Sequence, residues 1–379
     1  MIYLDHNATT KIEPSVLEAM MPYLEDHYGN PASNHRFGRR AHTAIEAARE
    51  QVAAAVNAHP SQVIFTSSGS ESNNLIIQGL ASSNEQMHFA YSAIEHPCIS
   101  RPIEHLKSKG YGATKINVTS DGMVDLEGMD QDTIDQINLL TCMMVNNETG
   151  VIQDMSKIVD FAHKNNMLVH SDAVQAVGKM DVDFEQLGLD AMTISSHKIY
   201  GPQGIAALII NKKIDLNPLI YGGGQEKGLR SGTENLAAIV GFGKACEQSQ
   251  DTQVHINAKI KPMQKFLEGE LEKMGATIFA KDSLRVANTT FFAINGIDGV
   301  TLLTAMDKHG FAMASGSACS SNNNEPSHVL RAMQVEEDLA QAAIRISLGL
   351  HNTMDEIKEL VMALKKEVER LKQLTAMAA

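Results

Sequence analysis

Met167-Leu168-Val169-His170-Ser171-Asp172 and, further on, Ala191-Met192-Thr193-Ile194-Ser195-Ser196-His197-Lys198 decide how this chain folds. Each is a short apolar run ending in polar residues, the pattern of a strand buried in a parallel sheet. Asp172 and Lys198 stand just beyond the carboxyl ends of the two runs, where open α/β sheets bind ligands. They lie 26 positions apart in sequence and are expected in one pocket.

Outward from this pair, Gln62-Val63-Ile64-Phe65-Thr66, Met87-His88-Phe89-Ala90, Leu139 to Val145 and Ile205 to Ile210 repeat the pattern, separated by helical stretches. The fold class is therefore α/β, a mostly parallel central sheet covered by helices on both faces. From about Asp251 the chain changes to long charged helices, with one strand-like stretch near Asn288 to Ile294. A last helix is expected from Thr353 to about Leu371, with Met354, Ile357, Leu360, Val361, Leu364 and Val368 on one face. The expected organisation is an N-terminal segment, 1–12, packing with a small domain; a large domain, 13–250; and a smaller α+β domain, 251–379.

Bulk properties exclude several classes of function. The chain has 379 residues, 43% of them apolar, and a net charge of −13. With no Lys/Arg block it lacks the clustered cations that nucleic acid requires. No apolar run approaches the roughly 20 residues that span a bilayer, and the N-terminus lacks a signal-peptide pattern, so no membrane partner and a cytoplasmic location are expected. Cys98, Cys142, Cys246 and Cys319 show no Cys-x-x-Cys spacing and are expected as free thiols. The 15 histidines show no ligand spacing, and no metal is assigned.

A lysine able to form a Schiff base and a carboxylate able to keep a pyridinium protonated are what pyridoxal 5′-phosphate (PLP) chemistry requires. Alone, the pair also fits two solvated loop charges. Ser67-Ser68-Gly69-Ser70-Glu71 lies between a strand and a helix, where backbone N–H groups and the helix dipole favour an anion, or where a serine merely caps the helix. His96 in Glu95-His96-Pro97 follows another strand and suits stacking and proton transfer, or a structural histidine. Asn146-Asn147 offers amides to a ring oxygen or a carboxylate, or forms a turn. Cys319 lies in Ser315 to Pro326, too small and polar to pack a core; this predicts an accessible, mobile loop and a reactive thiol.

With these stretches in view, the chain resembles the cysteine desulfurases, the NifS/IscS-like, fold-type I PLP enzymes of the class V aminotransferase group. The likeness rests on Tyr3 to Thr10, Tyr28 to Ser33, Glu71 to Asn74, Glu95-His96, Val145 to Glu148, His170 to Gln175, Ser195 to Pro202, Gly222 to Glu226, Arg230 to Asn235 and Ala314 to Ser321. One departure is Ser67-Ser68-Gly69-Ser70-Glu71, where the family usually has Ser-Gly-Ala-Thr-Glu; Ser70 keeps the hydroxyl.

The resemblance implies that Lys198 carries PLP as a Schiff base, Asp172 pairs with the pyridine nitrogen, Gln175 bonds the ring hydroxyl oxygen and His96 stacks on the ring. It implies that Ser70, Ser195 and His197 hold the phosphate, with Thr233 from the second subunit of a homodimer. Asn147 and Arg345 would take the substrate carboxylate. L-Cysteine would give L-alanine and a persulfide on Cys319, with Lys198 as base and His96 as acid, and the sulfur would pass to an iron–sulfur scaffold or tRNA-thiolation protein. Selenocysteine lyase or another class V activity, and a PLP-stabilised sulfur-carrier scaffold without catalysis, remain as alternatives.

Overall fold

A computed structural model describes residues 1–315 and 326–378, with side chains followed to residue 374. After β1 (Ile2–Tyr3) come two helices, α1 (Pro14–Glu25) and α2 (Arg36–Ala55). The central sheet follows: β2 (Val63–Thr66), β3 (His88–Ser92), β4 (Gly112–Ile116), β5 (Leu139–Thr141), β6 (Leu168–Asp172), β7 (Ala191–Ser195) and β8 (Ala206–Ile210). Helix α3 (Gly69–Ser83) connects β2 to β3, and α4 (Pro97–Ser108) connects β3 to β4.

The spatial order is β2-β8-β7-β6-β5-β3-β4. The pairs from β4 through β7 are parallel, whereas β8 runs antiparallel to both β7 and β2. The sheet is thus mostly parallel, with Ile205 to Ile210 supplying the reversed strand. The edge strand β4 carries too little apolar pattern to be read from sequence. Only Ile116 of β4 is buried.

Successive residues point to opposite faces of the sheet. Val63, Phe65, Leu140, Ala207 and Ile209 join the core on one face, with α2 and the helix Leu236–Glu247; Ile64, Leu139, Leu208 and Ile210 join that on the other, with α3 and α4. This double coverage is why β8 and the opening residues of β5 and β6 read as unbroken apolar runs.

The C-terminal part is richer in strands than one stretch near Ile294. β9 (Ala276–Ile278), β10 (Thr289–Ile294), β12 (Ala314–Ser315) and β13 (Ile344–Ser347) form an antiparallel sheet in the order β12-β13-β10-β9. β1 pairs in parallel with β11 (Phe311–Ala312), and Asp5 bridges to Ser347. Leu4 is buried with Ile346, Ile357 and Leu360, the last two from the helix Met354–Ala378. The chain's first residues are therefore clamped between the C-terminal sheet and the loops at the strand ends.

Candidate active site

The carboxyl ends of β2, β3, β5, β6 and β7 face one crevice, and the sequence-predicted residues stand there. Asp172 ends β6 and is 7% exposed. Its Oδ2 accepts from Asn73 Nδ2 at 2.8 Å and its Oδ1 from the Val174 N–H at 3.0 Å, so the carboxylate is fixed in direction. Lys198 lies in the 3-10 turn after β7, its Nζ donating to the carbonyls of Asn7 at 2.5 Å and Ala8 at 2.7 Å.

His96 caps α4, its Nδ1 accepting from the Cys98 N–H at 3.2 Å and lying 2.9 Å from Cys98 Sγ. An acceptor Nδ1 leaves the proton of the neutral ring on Nε2. Burial lowers the His96 pKa; the Asp172 carboxylate opposes that fall and the Lys198 amine adds to it. One imidazole therefore senses both members of the Lys198–Asp172 pair. Cys98, pushed up to about 12 by burial and the nearby Asp172 charge, is an unreactive thiol. Beside His96, Glu95 is fully buried, accepts from the Met143 N–H at 2.6 Å and is driven well above the usual carboxyl range by burial.

The residues fit a phosphate-bearing cofactor. The cap of α3 is Ser68, whose Oγ accepts from Glu71 N at 3.2 Å, leaving the Ser70 hydroxyl exposed at the first turn. A Cβ on Gly69 would sit 3.1 Å from Val174 Cγ2 and 3.9 Å from Ser195 Cβ, so this helix N-terminus packs directly onto the ends of β6 and β7. Ser195 Oγ is buried without a hydrogen-bond partner among the described residues, a cost that an anion here would remove. His197, whose Nδ1 contacts Thr9 Oγ1 at 3.1 Å, is pushed down to about 4 by burial and the adjacent Lys198, so it meets an anion as a neutral donor.

Other placements differ in detail from the expectation. The Gln175 amide is already bonded within the protein, donating to Asn7 O at 2.9 Å and accepting from Lys179 Nζ. Asn147 contributes its carbonyl to Asn7 and Arg345, while neighbouring Asn146 makes the turn, its Oδ1 accepting from the N–H groups of Glu148 and Thr149. Arg345 is 4% exposed; its Nη2 donates to Asp5 Oδ1 at 2.6 Å and its Nη1 to Asn147 O at 3.0 Å, while its buried Nε has no partner among the described residues. Thr233 is exposed on a loop tied to the first turn of α3 by the Arg230–Glu71 ion pair of 2.9 Å.

Cys319 lies outside the described residues, but the chain on either side is anchored at the crevice. Before it, Ser315 pairs with Ile344, next to Arg345. After it, Ser327 donates to Glu148 and His328 Nε2 lies 2.9 Å from the Glu95 carbonyl. A cleft of about 720 Å³ lined by His96, Asn147, Glu148, Ser327, His328 and Arg331 opens there. Among the described residues no group of His, Cys, Asp or Glu could hold a metal ion, and no helix is long and apolar enough to cross a membrane.

Sequence reasoning missed Asn7, Asn73 and Lys179. Asn7 lay inside the quoted Tyr3 to Thr10 stretch and Asn73 inside Glu71 to Asn74, but no spacing rule marks an asparagine as an organiser. Asn7 is 3% exposed and bonds Ser347, Asn147, Thr289, Gln175, Lys179, Lys198 and Asn288, linking the strand ends to the C-terminal sheet.

Comparison with known proteins agrees with this geometry. Residues 2–360 match the class-V aminotransferase family. The chain is 40% identical to a cysteine desulfurase of Nostoc sp., covering 99% of this chain and 94% of the relative. The solved structure of a NifS-like protein from Rickettsia africae is 38% identical with a TM-score of 0.88, covering 98% of this chain and 99% of that one. SspA in complex with cysteine is 32% identical with a TM-score of 0.81, covering 93% of this chain and all of that chain.

Proposed function

The chain belongs to the class V aminotransferase family and, within it, to the cysteine desulfurases, and from that premise we propose that it removes sulfur from L-cysteine with PLP, giving L-alanine and a persulfide on Cys319. The observation that carries this is the convergence of Lys198, Asp172 and His96 from three strand ends, beside a helix N-terminus and the unpartnered Ser195 hydroxyl.

When bound, the cofactor supplies an electron sink that eases loss of the substrate Cα proton and rupture of its Cβ–Sγ bond. Asp172, held by Asn73, is the carboxylate that would keep the ring nitrogen protonated. Ser70, Ser195, His197 and, from a second copy of this chain, Thr233 would hold the phosphate, and Gln175, with the second hydrogen of its Nε2, would donate to the ring hydroxyl oxygen. Arg345 and Asn147 take the substrate carboxylate, the former with its unpartnered Nε. The Lys198 amine accepts the Cα proton, and His96, its proton on Nε2, serves as acid. The Cys319 thiolate attacks the substrate sulfur; an S–S bond forms as the Cβ–S bond breaks, and the carbon left electron-rich is protonated to alanine.

The persulfide then passes to a sulfur-acceptor protein of iron–sulfur cluster assembly or tRNA thiolation, with the enzyme acting as a cytoplasmic homodimer. The test is alanine release by the purified, PLP-supplemented protein, with cysteine and selenocysteine compared. Alanine formed together with a protein persulfide supports the proposal. Turnover of selenocysteine alone makes it a lyase, and no turnover makes it a carrier.

A further inference from the structure

Lys179 has no role in the chemistry above, yet it is a lysine at 8% exposure whose amine meets only amide oxygens among the described residues. Its Nζ donates to Asn7 Oδ1 at 3.1 Å and to Gln175 Oε1. Asn7 also receives Lys198 Nζ and Gln175 Nε2 on its backbone carbonyl. Two amines therefore meet at one asparagine, and both line a narrow cavity with His6, Tyr200 and Asn288.

Burying an ammonium without a carboxylate is costly, and a lysine is kept in such a place only at the expense of stability. The surroundings do not offset that cost. Asp5 faces Arg345, and Asp172 faces Asn73. His6 and His197, nearby from the N-terminal segment and the Lys198 turn, are both pushed down to about 4 and are neutral at pH 7. His96, also lowered by burial, adds no charge. Lys179 is itself lowered well below the usual lysine range by burial, Lys198 and Arg345. The amines thus titrate as a pair in which a proton on one disfavours a proton on the other.

We propose that Lys179 is a positioning residue for the reacting amine: as a donor to the side-chain oxygens of both Asn7 and Gln175, it holds the Asn7 carbonyl against the Lys198 amine. This rests on Lys198 being the reacting amine, so the test reads that amine directly and without the cofactor. In the cofactor-free full-length chain, Lys198 is labelled with formaldehyde and cyanoborohydride across pH 6 to 10, and the modified peptide is quantified by mass spectrometry with exposed Lys157 as reference.

In Lys179→Met the Asn7 carbonyl is no longer held against the Lys198 amine, and the labelling midpoint of Lys198 falls by about half a pH unit or more because a hydrogen bond to its charged form is lost; Lys179→Gln shifts it less. The Gln variant, which keeps an amide donor toward Asn7, loses less cysteine affinity than the Met variant. An unchanged Lys198 midpoint in both variants overturns the proposal. If instead the midpoint falls but the loaded enzyme shows no Lys198 adduct, the positioning by Lys179 stands and the functional assignment of Lys198 falls.

Discussion

Lys198 and Lys179 reach the same residue, Asn7, with opposite fates. Lys198 bonds its backbone carbonyl from a half-buried turn at the strand ends, while Lys179 bonds its side-chain oxygen from a buried position behind. The difference separates the site into two layers. The strand-end layer, with Lys198, Asp172 and His96, presents groups to a crevice where bonds can change. The layer behind, with Asn7 and Lys179, spends its hydrogen bonds within the protein and sets the direction of the first. Residue type does not decide which layer a lysine joins; access to the crevice does.

This division is broken most severely from the strand-end side. Lys198→Ala is expected to lower alanine release by about a thousandfold or more, since the group that binds cofactor and moves the proton is lost together. Single-turnover assays with and without added ethylamine check this. Cys319→Ser should lower alanine release by about a hundredfold and abolish persulfide while leaving the cofactor absorbance intact, as a group acting only after proton removal must. Persulfide labelling with an alkylating probe separates the two variants.

Asn7→Ala attacks the layer behind and should cost about tenfold in kcat/KM, a loss of near 1.4 kcal/mol, together with a lower unfolding temperature. A thousandfold loss would instead place Asn7 among the reacting groups.

The smallest effect belongs to the sheet beneath. His170, fully buried between Thr141 Oγ1 at 2.8 Å and Thr193 Oγ1 at 3.1 Å, is pushed down to about 3 by burial. The unfolded chain takes up this proton near pH 6.5, the folded one only near 3, so stability from this group is full above 6.5 and declines as pH falls. Denaturant titrations at pH 7 and pH 5 should show a stability loss that is smaller by about 2 kcal/mol in His170→Gln than in the wild type. Catalytic constants at pH 7 should scarcely move.

The strand-end layer was legible in the sequence because each group follows an apolar run: Asp172 after Leu168-Val169, Lys198 after Ala191 to Ile194, His96 after the β3 run. Burial on both faces writes a strand as an apolar block, and the block's end marks the crevice. The antiparallel direction of β8 left no trace, because a strand buried on both faces reads the same either way. β4 was invisible because only its Ile116 is buried, and β9 and β12, of three and two residues, for want of length. The layer behind was illegible for a different reason. Asn7, Lys179, Thr289 and Ser347 come from segments up to 340 positions apart, and a long-range hydrogen bond such as Asn7 N to Ser347 Oγ has no local period.

The central claim is that Lys198, and not the second amine at Asn7, carries the cofactor. Borohydride reduction of the PLP-loaded protein followed by peptide mass mapping tests it directly. A pyridoxyl group on Lys198, with Lys179 unmodified, is the predicted result; a label on Lys179, or none at either lysine, would contradict it.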